Sequence, residues 1–486
     1  MKKTKQYISM YFYVLLCISI LFPCISTYSQ SDSLMMYLEI AAKNNPTVLQ
    51  RFSEYQVALQ KVPQVGALPD PELNVGVFLQ PMELIAGNQV ADIKLMQMFP
   101  WFGVLKNAKD EMSLMAKAKY ELMREAKLEL FYDVQRTWYE LYKTSRDIHI
   151  SEKNVQILQT VERLALVKFR TAASGSGGAA APVSSAATQQ SQGTNSGSSG
   201  MQTMGGGGSG NSSNKPSSAM QSSSNMGSTS GGSGLADLYR IQIEIGDLEN
   251  TISLLQNQQS TILARFNSYL NRPVQSAIAI IDTLKPDSLN VSILAVSDSM
   301  LANNPMLGML QFEQQSIDAR KRMVTRMGYP MVGLGVNYSL INKSEMSNSP
   351  MNGKDMIMPM VVVTLPIYRK KYRAMRTEAD FLKTATAQNY TATSNSLQTE
   401  YYQAVQLYQD AQRRIKLYAN QYNLANKTLD IMLKSFATSA SGLTDILRIR
   451  QQTFDYEYKQ IEALTDYNTG IAWLKRLGNL EINRSK

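Results

Sequence analysis

The hydrophobic pattern changes period along the chain, and the same changes return in the second half. From Gly103 to Thr171 no proline interrupts the sequence for 69 residues, and Leu128, Phe131, Val134, Trp138, Leu141 and Tyr142 recur at spacings of three and four. That period places the apolar residues on one stripe of a helix, and so long an unbroken run reads as coiled coil. Tyr368 to Ser435 repeats the pattern over 68 residues. At 1.5 Å per residue each helix would span roughly 100 Å. Before each run the period drops to two. Leu73, Val75, Val77 and Leu79 alternate with Asn74, Gly76, Phe78 and Gln80, and Val332, Leu334, Val336, Tyr338 and Leu340 alternate with Gly333, Gly335, Asn337 and Ser339. The predicted strands are Glu72–Gln80, Val90–Phe99, Met331–Leu340 and Met356–Leu365. A strand of about ten residues with one apolar face suits a membrane crossing, apolar toward lipid and polar toward a lumen. A small soluble antiparallel sheet carries the same alternation.

The two halves are one unit written twice. Asn44-Asn45-Pro46 matches Asn303-Asn304-Pro305, and at the same offset of 259 Pro71 matches Pro330. Phe99-Pro100-Trp101-Phe102 matches Leu365-Pro366-Ile367-Tyr368 at offset 266, and Phe169 matches Phe436 at 267. Ser233-Gly234-Leu235-Ala236-Asp237 then matches Ser441-Gly442-Leu443-Thr444-Asp445 at offset 208, which also brings Asn271 onto Asn479. Repeat one therefore carries 59 additional residues between Phe169 and Ser233. That stretch, 173–232, is almost wholly Gly, Ser, Ala, Gln, Asn and Thr, which cannot bury enough apolar surface to order itself, so a disordered insert is expected. The expected division is repeat one over 30–272, a connector over 273–291 and repeat two over 292–486. Return helices Leu235–Asn271 and Leu443–Asn479 and lead-in helices Leu34–Lys61 and Ser292–Arg326 are each about half an outgoing helix. A return and a lead-in helix should stack end to end beside the long one, with the non-helical Pro273–Pro286 at the joint. The fold class is mainly α with a small β part.

The first residues read as an address. Lys2, Lys3 and Lys5 precede the apolar run Met10–Phe22, and Thr27 and Ser29 suit a cleavage site, so 1–29 is expected to be a secretory signal peptide. Both cysteines, Cys17 and Cys24, fall in this segment. Lipidation of Cys24 is the alternative, although Pro23 stands where a small residue is needed. Without the leader the formal net charge falls from +10 to +7. No other apolar run approaches membrane-spanning length, so membrane insertion would have to use strands.

Four strands cannot close a barrel, and open edges in lipid would strand backbone donors at several kcal/mol each. Copies must share a barrel: two give eight strands and a filled interior, three give twelve strands and a lumen. On the doubled strand–hairpin–helix unit, its Asn-Asn-Pro steps and the Gly-Leu steps that open both return helices, the chain resembles the TolC-type outer membrane efflux proteins over essentially its whole mature length. The resemblance implies a homotrimer with a 12-stranded transmembrane β-barrel and a helical barrel projecting through the periplasm. It implies the exit duct of a tripartite pump, with a periplasmic adaptor and an inner-membrane transporter, of the RND type, as partners, and outer membrane lipid around the barrel. It further implies that Gly234, Leu235, Gly442, Leu443 and Thr444 form hairpin tips where the adaptor docks.

The tips also have a local reading. Gly234 and Gly442 would let the chain reverse, Leu235 and Leu443 would be exposed at the turn, and Asp237 and Asp445 would sit in the first helical turn, where a carboxylate favours the helix N-terminus.

The composition offers little chemistry. One His and two Cys leave no ordinary zinc site or Cys–His pair, and no phosphate-binding or Ser/His/Asp motif occurs. His149 reads as a surface or interface residue. No enzyme activity, cofactor or nucleic-acid partner is expected. The 27 methionines are the one unusual element. Met201, Met204, Met220 and Met226 lie in the insert, and thioether sulfur is a soft ligand suited to Cu(I) or Ag(I). They are candidate metal ligands beside the plainer reading of incidental linker residues, and they tilt the cargo toward Cu(I)/Ag(I) over drugs. Met96 and Met98, like Met356, Met358 and Met360, share a strand face and read as packing filler. Two other functions fit the same pattern: a secreted coiled-coil scaffold or adhesin, and a periplasmic metal-sequestering protein acting through the insert.

Overall fold

A computed structural model of the chain describes residues 33–174, 233–280, 283–289, 291–437 and 442–480. The signal peptide, Cys24, the bulk of the insert and its Met201, Met204, Met220 and Met226 lie outside the described residues. The elements run α1 (Ser33–Asn44), α2 (Pro46–Gly66), β1 (Glu72–Leu84), β2 (Gly87–Phe99), α3 (Val104–Ser174), α4 (Ser233–Tyr269), α5 (Ile293–Asn303), α6 (Pro305–Met327), β3 (Met331–Asn342), β4 (Met356–Thr364), α7 (Arg369–Ala437) and α8 (Leu443–Leu477). The outgoing helices α3 and α7 have 71 and 69 residues, so each is about 105 Å long.

Each lead-in segment departs from expectation. The sequence pattern predicts one helix, and the structure has two, broken at Asn45-Pro46 and Asn304-Pro305. Proline lacks an N–H and pushes its predecessor out of the helical region, so a helix must stop there and start again. The break is well capped. Asn45 has φ −65° and ψ 122°, and its side chain accepts from the N–H groups of Thr47 and Val48. Asn304 repeats this toward Met306 N–H. Asparagine at the N-cap followed by proline at the first helical position is a favoured helix start. Asn45 Nδ2 also donates to the Tyr269 carbonyl at 3.0 Å, tying the break to the end of α4. In repeat two the tie runs from the other side: Asn479 Nδ2 donates to the Asn303 carbonyl at 3.2 Å. Asn271 and Asn479, the matched pair beyond the return helices, both take positive φ (53° and 48°), which asparagine tolerates better than most residues.

The helices lie side by side in four columns. α2 and α4 both pack on α3, and the start of α2 meets the end of α4 through Asn45 and Tyr269. α6 and α8 pack on the other side of α3 and also against α7. The short pair of repeat two therefore serves both long helices, which the repeat arithmetic did not reveal. Midway, two cores surround the joint. One gathers Tyr37, Leu38, Trp138, Tyr142, Phe266 and Leu270; the other gathers Val296, Met300, Leu307, Tyr401, Leu474 and Leu477. The described residues of the connector are non-helical, as expected, and are held by side chains reaching out of the helices. Asn267 Nδ2 donates to the Val274 and Ser276 carbonyls, Asn468 Nδ2 to Lys285 O, and the Tyr37 and Tyr142 hydroxyls accept from Ala279 and Leu284 N–H. Buried irregular backbone needs such partners.

The strands form one antiparallel sheet in the order β1-β2-β3-β4. The first hairpin is longer than predicted, continuing to Leu84 and resuming at Gly87, whose φ of +125° closes the turn. A Cβ there would lie 2.4 Å from the Asn342 carbonyl oxygen, so only glycine fits. The register slips between Val77 and Met82, the mark of a bulge.

Candidate channel wall and hairpin tips

The register sorts every strand residue onto one of two faces, because partners across an antiparallel pair point the same way. One face aligns Leu73, Leu95, Val336 and Pro359; then Val75, Ile93, Tyr338 and Ile357; then Val77, Ala91 and Leu340. Leu334 and Val361 continue it, followed by Val332 and Val363. These large side chains are exposed, Val77 by 69% and Val361 by 68%. An apolar band this broad has no place against water and marks a surface to be covered. The opposite face aligns Asn74, Lys94 and Asn337, and Gly76, Asp92 and Ser339, with methionines between them. The alternation read from the sequence is thus a real division of the sheet. No described helix is long and apolar enough to cross a membrane.

Where strands meet helices, aromatic side chains collect. Trp101 stacks on Tyr329 with ring centres 5.4 Å apart and meets Phe102 edge-on at 6.0 Å. Phe102 and Tyr368 project outward, almost fully exposed. Amphipathic rings at this level match the aromatic girdle that borders a membrane-embedded β surface. The sequence carried the signal, since Trp101-Phe102 and Ile367-Tyr368 occupy matched places after the second and fourth strands.

The molecule has two unfinished sides. β1 and β4 are paired on one edge only. Below β1 hang α2 and α4, with Leu49, Phe52, Val57, Tyr239, Ile243 and Leu254 exposed. Below β4 hangs α7, with Phe381, Tyr402, Leu424 and Ile431 exposed. α2 leads into β1 and β4 leads into α7, so exposed apolar helix residues lie on helices joined to the two open strand edges.

The predicted tip residues divide. Both return helices run against α3, and the structure brings their starts together: Arg240 Nη1 donates to Thr444 Oγ1 at 3.2 Å. Leu235 is half exposed, as expected. Leu443 is not exposed. It is 5% accessible and packs with Leu158, Val161, Ile241 and Leu447 where α3, α4 and α8 converge. Gly442 caps α8 with φ −81°, and Gly234 lies within the first turn of α4, so neither needs the left-handed backbone expected of a reversal glycine. Asp445 does lie in the first turn of α8, its carboxylate close to Gly442. Asp237 does not, because α4 starts at Ser233 and carries no acidic residue in its first turn.

Sequence reasoning missed a buried polar seam higher up between α3 and α8. Asp147, Ser151 and Asn154 are buried on α3. Ser151 Oγ shares a 2.5 Å hydrogen bond with the Tyr458 hydroxyl, which also donates to the Asp147 carbonyl at 3.2 Å. Arg450 Nη2 donates to Asn154 Oδ1. Asp147 Oδ1 has no hydrogen-bond partner among the described residues. Burial pushes its carboxyl up to about 7, opposed by Lys143 and assisted by Glu462. Polar residues at helical spacing on a long coiled coil look like a solvated face, so no pattern in the sequence announced this cluster. His149, between Asp147 and Ser151 in sequence, points to the other side of the helix and is exposed as expected. Among the described residues no group of three or more His, Cys, Asp or Glu side chains could hold a metal ion.

No protein-family model matches the chain, and no curated protein does. Solved structures do. The chain is 13% identical to CusC, whose structures concern folding and transmembrane channel formation, over 92% of this chain and 91% of that one with a TM-score of 0.65. It is 12% identical to the outer membrane protein VceC from Vibrio cholerae over 92% and 96%, also at 0.65. It is 12% identical to the Campylobacter jejuni CmeC outer membrane channel over 93% and 87%, at 0.63. At such identities the likeness speaks for architecture, and it extends over nearly the full length of both partners in each comparison. The chain has the fold of the TolC-type outer membrane channels, a small antiparallel sheet carrying a layer of long helical hairpins.

Proposed function

We propose that the protein is the outer membrane exit duct of a tripartite efflux pump, passively conducting cargo from a periplasmic adaptor and an inner-membrane transporter to the exterior. The observation that carries this reading is the coincidence of two unfinished edges with one exposed apolar face. The β4 edge of one copy completes the β1 edge of the next, and α7 of the first lies beside α2 and α4 of the second. Such a head-to-tail contact closes into a ring when its rotation allows. Three copies give twelve strands, even as antiparallel closure requires and wide enough for a lumen. The apolar face then meets lipid, the aromatic junction sits at the periplasmic border, and the helices extend into the periplasm as a tube. Leu235, Thr444 and Asp445 at the tips face the adaptor, while Leu443 holds the hairpins together beneath them. The cargo belongs to the soft-metal or drug classes, and Met201, Met204, Met220 and Met226 would sample a soft metal at the tube's entrance. Planar-bilayer conductance and particle imaging of the purified protein test the reading. A conducting three-fold particle with a tube about 100 Å long is expected. A water-soluble or non-trimeric particle without that tube overturns it.

A further inference from the structure

The register gives the strand methionines a meaning that their sequence spacing did not. On the face opposite the apolar band, successive side-chain levels run from the helix end outward. The first level holds Met331; the second, Met98 beside Gly333; the third, Met96, Gly335 and Met360; the fourth, Met358; the fifth, Met356. Every level carries a thioether. The central strand supplies glycine at the second and third levels, so β2 and β4 wall a trough that β3 leaves empty. Met98 leans into it: a Cβ on Gly333 would come within 2.5 Å of the Met98 sulfur. Met96 and Met360 face each other across Gly335, two strand spacings or about 10 Å apart at Cα, a gap that two flexible methionine side chains can close over one ion. Glu72 joins the same level and Asp92 the fifth, so carboxylates stand on both sides of Lys94 at the fourth.

Packing filler does not explain the whole arrangement, because Met96 is buried but Met356 and Met358 stand exposed on the same face. Thioether sulfur without nitrogen or thiolate partners selects soft monovalent ions and ignores hard ones. We propose that Met96, Met98 and Met360 form a binding site for Cu(I) or Ag(I), with Met331, Met358 and Met356 as further steps of a ladder along the sheet. This deepens the exit-duct reading and rests on it, since the trough lines the lumen only if the sheet is a barrel wall. Each site is built within one chain, because copies across a twelve-stranded lumen stand too far apart to share an ion.

The test is silver binding by the full-length, detergent-purified protein, read as bound metal per chain across a titration. The triple variant Met96→Leu/Met98→Leu/Met360→Leu keeps side-chain volume. It is expected to weaken Ag(I) binding at least tenfold in a chain that already carries leucine at Met201, Met204, Met220 and Met226, so that the insert adds no binding of its own. Single Met360→Leu, expected to weaken it at least threefold, serves if the triple variant does not assemble. Undiminished binding in the strand variants, or a loss that follows only the insert variant, overturns the proposal. Bilayer conductance of the same samples is read separately: its absence from the unchanged protein sinks the duct, whereas conductance without silver binding sinks the ladder alone.

Discussion

The joint midway along the helices and the strand sheet at their end are built by opposite rules. At the joint, Phe266, Leu270, Leu307 and Leu474 are buried within one chain. The irregular connector has its backbone groups claimed by Asn267, Asn468, Tyr37 and Tyr142. In the sheet nearly every large side chain of one face is exposed, and both outer strands lack a neighbour. The joint is a finished core. The sheet is a fragment, with lipid and other copies as its partners under the proposed function. The joint therefore carries its stability within the single chain, whereas the proposed duct would have the strands take theirs from assembly.

Breaking the joint should cost most. Phe266→Ala removes a fully buried ring from the first core, and a loss of about 3–5 kcal/mol is expected. Chemical denaturation of the solubilised protein followed by far-UV circular dichroism reads it, and a midpoint within error of the parent's would contradict a finished core. The sheet should answer differently. Val336→Arg puts a charge at the middle of the apolar band, at a cost of about 2–4 kcal/mol in a lipid-facing β surface. Assembly in the membrane fraction should fall while helix content stays at the parent level. If helix content falls in step, the two regions are not independent.

The polar seam lies between these extremes. Asp147 carries a carboxyl raised from about 3.9 unfolded to about 7 in the fold, chiefly by burial. Its protonated form is the one the fold favours, so the stabilising contribution is complete below about pH 4 and is lost as the pH rises through about 7. Up to about 4 kcal/mol should disappear across that window. Asp147→Asn should flatten the thermal midpoint between pH 5 and 8 and raise it at the upper end. An unchanged pH profile would show that the carboxylate reaches water. The smallest effect belongs to the caps: Asn45→Ala should cost about 1 kcal/mol for the lost cap. Asn304→Ala should cost somewhat less, because Asn45 also donates to Tyr269 O whereas in repeat two that tie comes from Asn479. Paired denaturation curves of the two variants decide whether the repeats differ in this order.

Much of this architecture was legible in the amino-acid pattern because it rests on periods and lengths. The 3.6-residue stripe from Leu128 to Tyr142, the absence of proline from both long runs and the alternation of Leu73 to Leu79 follow from local geometry, and the structure repeats them. The helix breaks at Asn45 and Asn304 follow from local chemistry too, since an asparagine before proline carries its own cap. What failed was exposure at the tips. Leu443 looks the same in sequence whether it faces a partner or a core. Its burial follows from Leu158, Val161 and Ile241, which reach it from two other helices.

The chain's own pattern determined the duplicated unit, the lengths of its helices and which residues of each strand share a face, because each depends only on neighbours within a few positions. Tertiary structure alone decided which strands lie side by side, and with them the methionine levels around Gly333 and Gly335. It alone seated α6 and α8 against both long helices and buried Asp147 between α3 and α8. Those outcomes join residues up to about three hundred positions apart, such as Asp147 and Tyr458, and no local period encodes a contact between segments that meet only when the whole chain has folded.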